Sequence, residues 1–222
     1  MQYFISWTHS DPVYHKSIPG IGVLVSHPNV NRAWSIDDWP QQPGSLILDS
    51  GAYQYTRQKR TADPSAILER QLAMLGAADI PTRICHLDVP MMGTRSLAEL
   101  DRRIMQNLSN AEWLISQASR LASTIHLVGV IQGYSVERIY FVAQALADMG
   151  YTHFALGSLA GMVASSRDEL LRRVEAALEA IGPNIHVLGV SSIAVIGELA
   201  RMGIHSADPG TPMHEAWRGG IF

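Results

Sequence analysis

The chain has little cysteine and no long apolar segment. Cys85 is the only cysteine among its 222 residues, which excludes an internal disulfide and a zinc site built from several cysteines. No apolar stretch approaches about 18 residues, and the first residues lack the charged start and long apolar middle of a signal peptide. We therefore expect a protein of a reducing compartment, the cytoplasm, that makes no contact with a membrane.

The chain also lacks an excess of basic residues. The chain has 17 Lys and Arg residues and 20 Asp and Glu residues, so its formal net charge is −3. A nucleic acid would have to be held by local basic residues, because no overall positive field attracts it. Hydrophobic residues make up 47% of the chain, a composition typical of a folded globular protein. With no repeat of fixed period and no linker, we expect residues 1–222 to form a single domain.

Short apolar or β-branched runs alternate along the chain with longer segments of helical periodicity. Eight of these runs are candidate strands: residues 3–7, 21–26, 45–49, 83–88, 126–132, 153–157, 186–190 and 204–208. Eight parallel strands joined by helices are typical of a (β/α)₈ barrel. We therefore predict an α/β fold, a minimal (β/α)₈ TIM barrel.

Helix signals follow the third and later strands. Capping signals precede three of these helices: Asp63 before Pro64, Ser96 with Glu99, and Ser166 with Glu169. The first two connections, residues 8–20 and 27–44, show no helical stripe, so we expect that side of the barrel to be poorly covered. Residues 209–222 are few for a closing helix, and a partner subunit or a second copy could complete the barrel there.

The most informative residues are three aspartates at the ends of predicted strands. Asp49, Asp88 and Asp208 each stand at or just past the end of an apolar run. In a parallel α/β barrel the carboxyl ends of the strands meet on one face, where active sites are built. Carboxylates at several such ends predict one shared catalytic cleft. Each aspartate could instead cap a following turn, and Asp208 begins an Asp-Pro-Gly turn signal.

Six strand-end motifs occur in order along the chain. They are LDSGAYQ (residues 48–54), HLDVP (86–90), GVIQG (129–133), ALGSLAG (155–161), VLGV (187–190) and DPGTP (208–212). In this order and approximate spacing they resemble the tRNA-guanine transglycosylase superfamily, whose members exchange nucleobases on a (β/α)₈ barrel. The resemblance covers roughly residues 45–212.

The resemblance implies a role for each matching residue. Asp208 corresponds to the nucleophile that attacks the ribose C1′, and Asp49 corresponds to the general acid/base. Tyr53 corresponds to the aromatic residue that stacks on the base, and Leu188 to an apolar residue on its other face. The remaining implied contacts to the base come from Ser50, Asp88, Gln132, Gly157, Ser158, Leu159 and Gly189. Within that set, Asp88 and Gln132 would bind the guanine edge, and residues 157–159 would offer backbone contacts to a 7-substituent.

The chemistry of base exchange requires residues of these types. Displacing a base passes through an oxocarbenium-like centre, which a carboxylate such as Asp208 can trap as a glycosyl-enzyme. A second carboxylate of higher pKa, Asp49, would exchange protons with the departing and incoming bases. An Asp and a Gln supply the acceptors and the donor that the guanine edge needs. We expect no cofactor, because the protein supplies acid, base and nucleophile.

Three departures separate this chain from the tRNA-modifying members. Ala52 and Ser158 each stand where the family pattern has the second glycine of a pair, and the zinc subdomain that follows the nucleophile is missing. The chain looks more like shortened members that insert 7-deazaguanines into DNA, in phages and bacterial DNA-modification clusters. We therefore expect exchange of guanine in DNA, favoured over tRNA, for a base such as preQ0 in a bacterial or phage-infected cell.

Other interpretations stay open. Arg57, Lys59 and Arg60 follow the Asp49 motif and could contact phosphates, or form an ordinary solvated loop. The substrate could be tRNA, the chain could be a non-catalytic base-binding subunit of a heteromeric transglycosylase, or it could be an unrelated barrel hydrolase. The presence of both Asp49 and Asp208 counts against the binding subunit. The histidines show no metal-ligand spacing, so we expect them to be structural and the chain to hold no metal.

Overall fold

The computed structural model describes residues 1–94, 96–162, 166–190 and 192–209. Eight parallel strands form a closed barrel in sequence order, and β8 returns to pair with β1. The strands are β1 (Gln2–Trp7), β2 (Gly22–Ser26), β3 (Ser45–Asp49), β4 (Thr82–Cys85), β5 (Ile125–Ile131), β6 (His153–Leu156), β7 (Ile185–Leu188) and β8 (Ser206–Asp208). The predicted closed barrel of eight parallel strands is confirmed.

The α-helices of the described residues all follow β3 or a later strand. They are α1 (Ala52–Arg57), α2 (Pro64–Leu75), α3 (Leu97–Ser116), α4 (Val136–Asp148), α5 (Arg167–Ile181) and α6 (Ile193–Arg201). The two connections before β3 contain only short 3₁₀ turns, as their lack of a helical stripe predicted. Within the described ranges, no helix combines the length and apolar character needed to cross a bilayer. The predicted short closing segment lies outside the described residues.

Three tryptophans cover the part of the barrel that these two connections leave without helices. Trp7 ends β1, and Trp34 and Trp39 lie in the connection between β2 and β3, with ring centroids between 4.9 and 5.3 Å apart. His15 adds its ring 4.5 Å from Trp39. All four side chains are buried. The expectation of poor cover on this side is therefore wrong, because packed aromatic rings bury the area that helices would bury elsewhere.

β4 is shorter than predicted, and the chain has left the sheet before it reaches Asp88. Polar side chains of α3 make the backbone hydrogen bonds that a neighbouring strand would otherwise make. Asn107 accepts a hydrogen bond from the Val89 N–H and donates to the Val89 carbonyl, and Asn110 donates to the Leu87 carbonyl. Buried backbone groups need such partners wherever a strand ends. Asp88 is therefore carried on an irregular segment that a helix holds in place.

The predicted cap at Asp63 is confirmed, and of the capping box predicted for Ser96 and Glu99 only the Ser96 bond forms. The Asp63 side chain accepts from the backbone N–H of the second residue of α2, and the Ser96 hydroxyl accepts from the Glu99 N–H. Ser166 occupies the N-cap position of α5 but makes no side-chain cap bond, so that prediction is wrong in detail. Glu99 and Glu169 form ion pairs with arginines of the next turn instead.

Apolar side chains close the inside of the barrel below the carboxyl ends of the strands. This layer consists of Phe4, Leu24, Ile47, Cys85, Val128, Val130 and Ala155. Burial raises the pKa of the Cys85 thiol well above its usual range, so the cysteine packs as a small apolar residue. Leu24 belongs both to this layer and to the wall of the cavity above it. The open end of the barrel is therefore the end at which the strand-end aspartates lie.

Candidate active site

A cavity of about 610 Å³ opens at the carboxyl ends of the strands. Its volume is within the range of sites that bind small molecules. Nine of the residues singled out from the sequence line it: Asp49, Tyr53, Asp88, Gln132, Gly157, Ser158, Leu188, Gly189 and Asp208. The structure thus brings the three strand-end aspartates into one cleft.

Asp208, at the end of β8, is surrounded by hydrogen-bond donors. Its Oδ1 accepts from the Gly189 N–H at 2.8 Å and lies 3.2 Å from His186 Nε2, and its Oδ2 accepts from the Ser6 hydroxyl at 2.6 Å. A carboxylate oxygen has two lone-pair sites, so Oδ1 is fully used and Oδ2 keeps one site free. Because Asp208 lines the cavity, Oδ2 is the oxygen available to a bound molecule.

His186 is a site residue that sequence analysis treated as structural. Its ring is buried beneath Asp208, and its Nδ1 lies 2.9 Å from the Ser206 hydroxyl. Since a carboxylate only accepts hydrogen bonds, Nε2 donates to Asp208, and the Ser206 hydroxyl is the hydrogen-bond partner of Nδ1. Its position in the strand could have indicated this role. His186 precedes Leu188 by two residues, which places both side chains on the same face of β7.

Asp49 ends β3 and begins a tight turn. Its Oδ2 accepts the Gly51 N–H at 3.0 Å, and Gly51 adopts a φ of 76°. A Cβ on Gly51 would lie 2.5 Å from the ring of Pro28, so both the conformation and the space require glycine. Burial raises the pKa of Asp49, and the charge of Asp208 raises it further. A carboxyl group with a raised pKa can hold and release a proton near neutral pH.

Asp88 and Gln132 form a buried hydrogen-bonded pair. Gln132 Nε2 donates to Asp88 Oδ2 at 2.6 Å, and the Ser50 hydroxyl donates to Asp88 Oδ1 at 3.0 Å. The Ser158 hydroxyl donates to Gln132 Oε1 at 2.6 Å, which fixes the orientation of the amide. Burial raises the pKa of Asp88 to about 7, and the charge of Asp49 acts in the same direction. The second amide N–H of Gln132 and the free lone pairs of Asp88 remain for a planar ligand.

Tyr53 and the predicted basic residues lie on or directly after α1. Tyr53 lines the cavity with 52% of its surface exposed, and the Arg57 guanidinium lies over its ring, 5.8 Å from the centroid. Such a contact restricts the tyrosine without covering both faces of its ring. Lys59 and Arg60 are exposed in the loop that follows. The helix therefore presents an aromatic ring in the cavity wall with the Arg57 cation over it, and two more cations follow in the loop after the helix.

Two of the residues predicted to contact the base do not line the cavity. Leu159 is fully buried in the hydrophobic core, and Ser50 is buried behind Asp88, where its hydroxyl also accepts the Ala52 N–H. Met91 and Met92, which the sequence did not single out, do line it. They belong to the irregular segment that follows Asp88.

Comparison with known proteins does not identify a function for this chain. A scan of the chain against protein-family models found no match, and a search among curated proteins found no similar sequence. Among the described residues, no group of three His, Cys, Asp or Glu side chains is arranged to hold a metal ion. The functional argument therefore rests on the aspartates, the amide and the aromatic ring that share the cavity.

Gly157 gives the first test of this arrangement. A Cβ at Gly157 would lie 2.4 Å from Gln132 Nε2, so Gly157→Ala must displace the amide group that donates to Asp88. A binding site that loses a buried hydrogen-bond partner loses discrimination by roughly 1–3 kcal/mol. The resemblance to guanine-exchanging enzymes predicts a preference for guanine over adenine that Gly157→Ala reduces about tenfold, measured by competition between labelled bases.

Gly197→Ala provides the control for that variant. Gly197 lies in α6, and the nearest atom to a Cβ there is 3.9 Å away. The added methyl group should raise helix stability by up to about 1 kcal/mol and leave base preference unchanged. Equal preference for guanine in both variants would mean that Gln132 takes no part in base selection.

Proposed function

We propose that the protein is a base-exchanging pentosyltransferase that replaces guanine in DNA by a 7-deazaguanine such as preQ0. The observation that carries the proposal is the meeting of three carboxylates with different surroundings in one cavity. Asp208 is held by donors with one lone pair free, Asp49 has a raised pKa, and Asp88 is bonded to an amide. Nucleophile, proton carrier and base-binding residue need these three different environments.

The first half of the reaction forms a covalent intermediate. Asp208 Oδ2 attacks C1′ of the target nucleotide while the bond from C1′ to guanine N9 breaks. The bonding electron pair leaves with the base, and the carboxyl group of Asp49 donates a proton to it. The sugar is then held as an ester of Asp208, while His186 and Gly189 continue to donate to Oδ1.

The second half reverses these steps with another base. N9 of the 7-deazaguanine attacks C1′, the ester bond to Asp208 breaks, and the proton of N9 passes to Asp49. One glycosidic bond is broken and one is made, so the exchange needs no external energy source. Asp88 accepts from the N1–H and exocyclic amine of either base, and Gln132 donates to O6. Tyr53 and Leu188, both in the cavity wall, lie against the faces of the ring.

Nucleoside mass spectrometry tests this proposal. Cells that express the chain and are supplied with preQ0 should contain a 7-deazaguanine nucleoside in DNA, and cells that express Asp208→Asn should contain none. A modified nucleoside in tRNA alone would contradict the choice of polymer and leave the exchange chemistry in place. A 7-deazaguanine in neither polymer, with free base present in the cell, would contradict the exchange itself.

The cations on and after α1 predict how the polymer is held. Replacing Arg57, Lys59 and Arg60 together by glutamine should weaken the binding of DNA oligonucleotides of any sequence. The salt dependence of binding should flatten by up to about three phosphate contacts, while affinity for free guanine stays the same. Fluorescence anisotropy at several salt concentrations measures both effects.

A matched variant separates local contact from net charge. Replacing Arg102, Arg120 and Arg172, which are exposed on other elements, removes the same total charge. We expect this variant to bind DNA almost as tightly as the parent chain. Equal loss of affinity in the two variants would show that the cluster after Tyr53 makes no specific contribution.

A further inference from the structure

The first turns of α3 and α5 carry the same sequence motif, Ser-x-x-Glu-Leu-x-Arg-Arg, at residues 96–103 and 166–173. In both copies the glutamate binds both arginines, at 2.8 and 2.9 Å in α3 and at 3.0 Å twice in α5. In both copies the first arginine side chain is 64% exposed and the second 13% exposed. The repeated motif therefore builds the same structural unit twice: one exposed arginine and one mostly buried arginine on a shared glutamate.

The buried arginine of α3 holds the loop that follows Asp88. Arg103 Nη1 donates to the carbonyls of Pro90 and Met92, at 2.8 and 2.6 Å. Residues 86–92 have no regular secondary structure, so these carbonyls lack the partners that a strand or helix would give them. Arg103 supplies the partners, and Glu99 compensates its charge and fixes the plane of the guanidinium.

The buried arginine of α5 holds the loop that follows Gln132 in the same way. Arg173 Nη1 donates to the Gly133 carbonyl at 3.3 Å, and Nη2 donates to the Tyr134 carbonyl at 2.6 Å. Glu169 fixes this guanidinium in turn. The two units thus bind the two loops whose preceding residues are the hydrogen-bonded pair Asp88 and Gln132.

We propose that Arg103 and Arg173 are positioning residues that set the separation of Asp88 and Gln132 and thereby the selectivity for the base. This inference rests on the proposed function, because it concerns the same cavity. The Asp88–Gln132 bond is 2.6 Å long, and a displacement of about 1 Å in either loop would take it beyond hydrogen-bonding distance. Two rigid guanidinium groups, each fixed by a glutamate, prevent such a displacement without touching the bound base.

The motif supplies its own matched controls. Arg103→Gln and Arg173→Gln remove the buried arginines, whereas Arg102→Gln and Arg172→Gln remove the exposed arginines that bind the same glutamates. Two measurements are made on each variant. The first is hydrogen exchange at the amides of Val89 and Met91, which donate to Asn107 and Ser158. The second is the steady-state selectivity for guanine over adenine, with KM for the base and kcat determined separately.

For Arg103→Gln we expect exchange at these amides to be at least about tenfold faster, and selectivity to fall about tenfold. The fall should come mainly from a higher KM for guanine, because the nucleophile and the proton carrier lie on other strands. Arg173→Gln should reduce selectivity similarly, and both control variants should stay within about twofold of the parent chain. A combined Arg103 and Arg173 variant should be less selective than either alone.

Three outcomes would overturn the proposal. Arg103→Gln and Arg102→Gln could behave alike in both measurements, the loop amides could exchange faster with selectivity unchanged, or the fall could lie in kcat alone. If Arg103→Gln does not fold, Arg103→Lys keeps the charge but not the planar fork, and the same outcomes apply to it. If no form of the protein binds guanine but the amides still exchange faster in Arg103→Gln only, the loop positioning stands and the proposed function fails.

Discussion

Replacing Asp208 by asparagine is expected to lower the rate of base exchange by about 10⁴-fold or more, with little effect on folding. Loss of a nucleophile removes the covalent path altogether, and the residual rate reflects binding alone. Asparagine keeps a carbonyl oxygen for the donors Gly189 and His186, and the Ser6 hydroxyl can turn to accept from the new amide. Incorporation of labelled guanine into an oligonucleotide measures the rate.

Trapping the intermediate checks the assignment directly. Denaturing the wild-type protein during turnover should leave an oligonucleotide covalently attached to the chain, and Asp208→Asn should leave none. His186→Leu, which removes the donor to Oδ1, should lower the rate of formation of the adduct by about 10- to 100-fold without weakening base affinity. An adduct formed by Asp208→Asn at the wild-type rate would assign the nucleophile to another residue.

The parts of the fold that follow from local periodicity could be predicted. A strand inside a parallel barrel has the sequence pattern of a short apolar run. The strand bounds other than those of β4 agree with the prediction to within two residues. β4 differed because polar side chains of α3 bind the backbone after Cys85, and no local pattern indicates that residues 18 and 23 positions further along the chain will do so. Cover of the barrel by Trp7, Trp34 and Trp39 likewise depends on long-range contacts.

The candidate site divides in the same way. Side chains at strand ends share one cavity because the barrel brings all strand ends together, so Asp49, Asp88 and Asp208 could be located from their positions alone. Residues that act through another side chain carry no such signal. Ser6 lies at the opposite end of the described chain from Asp208. Glu99 fits a capping-box pattern in the sequence, but in the structure it binds arginines, and the sequence therefore did not indicate the role of Arg103. Their roles depend on contacts that only the folded chain defines.

Replacing Asp49 by asparagine is expected to lower turnover by about 10²- to 10⁴-fold, the usual contribution of a positioned proton-transfer group. The side-chain carbonyl of the introduced asparagine can still accept the Gly51 N–H, so the turn should keep its geometry and the base should bind normally. Turnover and KM from steady-state kinetics separate the two effects.

Asp88→Asn makes the matched comparison, because Asp88 also has a raised pKa but its oxygens accept from Gln132 and Ser50. Loss of turnover in Asp88→Asn and loss of affinity in Asp49→Asn would exchange the two roles.

The same Asp49→Asn variant is expected to be more stable than the parent chain, by a margin that grows as the pH rises above 3.8, the ordinary pKa of an aspartate. Burial and Asp208 raise the pKa of Asp49 above its ordinary value of 3.8, so between the unfolded and the folded pKa the folded chain keeps a proton that the unfolded chain has lost. Stability therefore falls as the pH rises from the unfolded towards the folded pKa, and asparagine has no such loss. Each kcal/mol recovered should raise Tm by about 2–4 °C in a chain of this size. Asp148→Asn, the same change on an exposed helical surface, should show no pH-dependent gain. A Tm difference between Asp49→Asn and the parent that stays the same across a pH series that begins near the ordinary pKa of 3.8 would mean that folding does not raise the pKa of Asp49, and it would remove the proposed proton carrier from the mechanism.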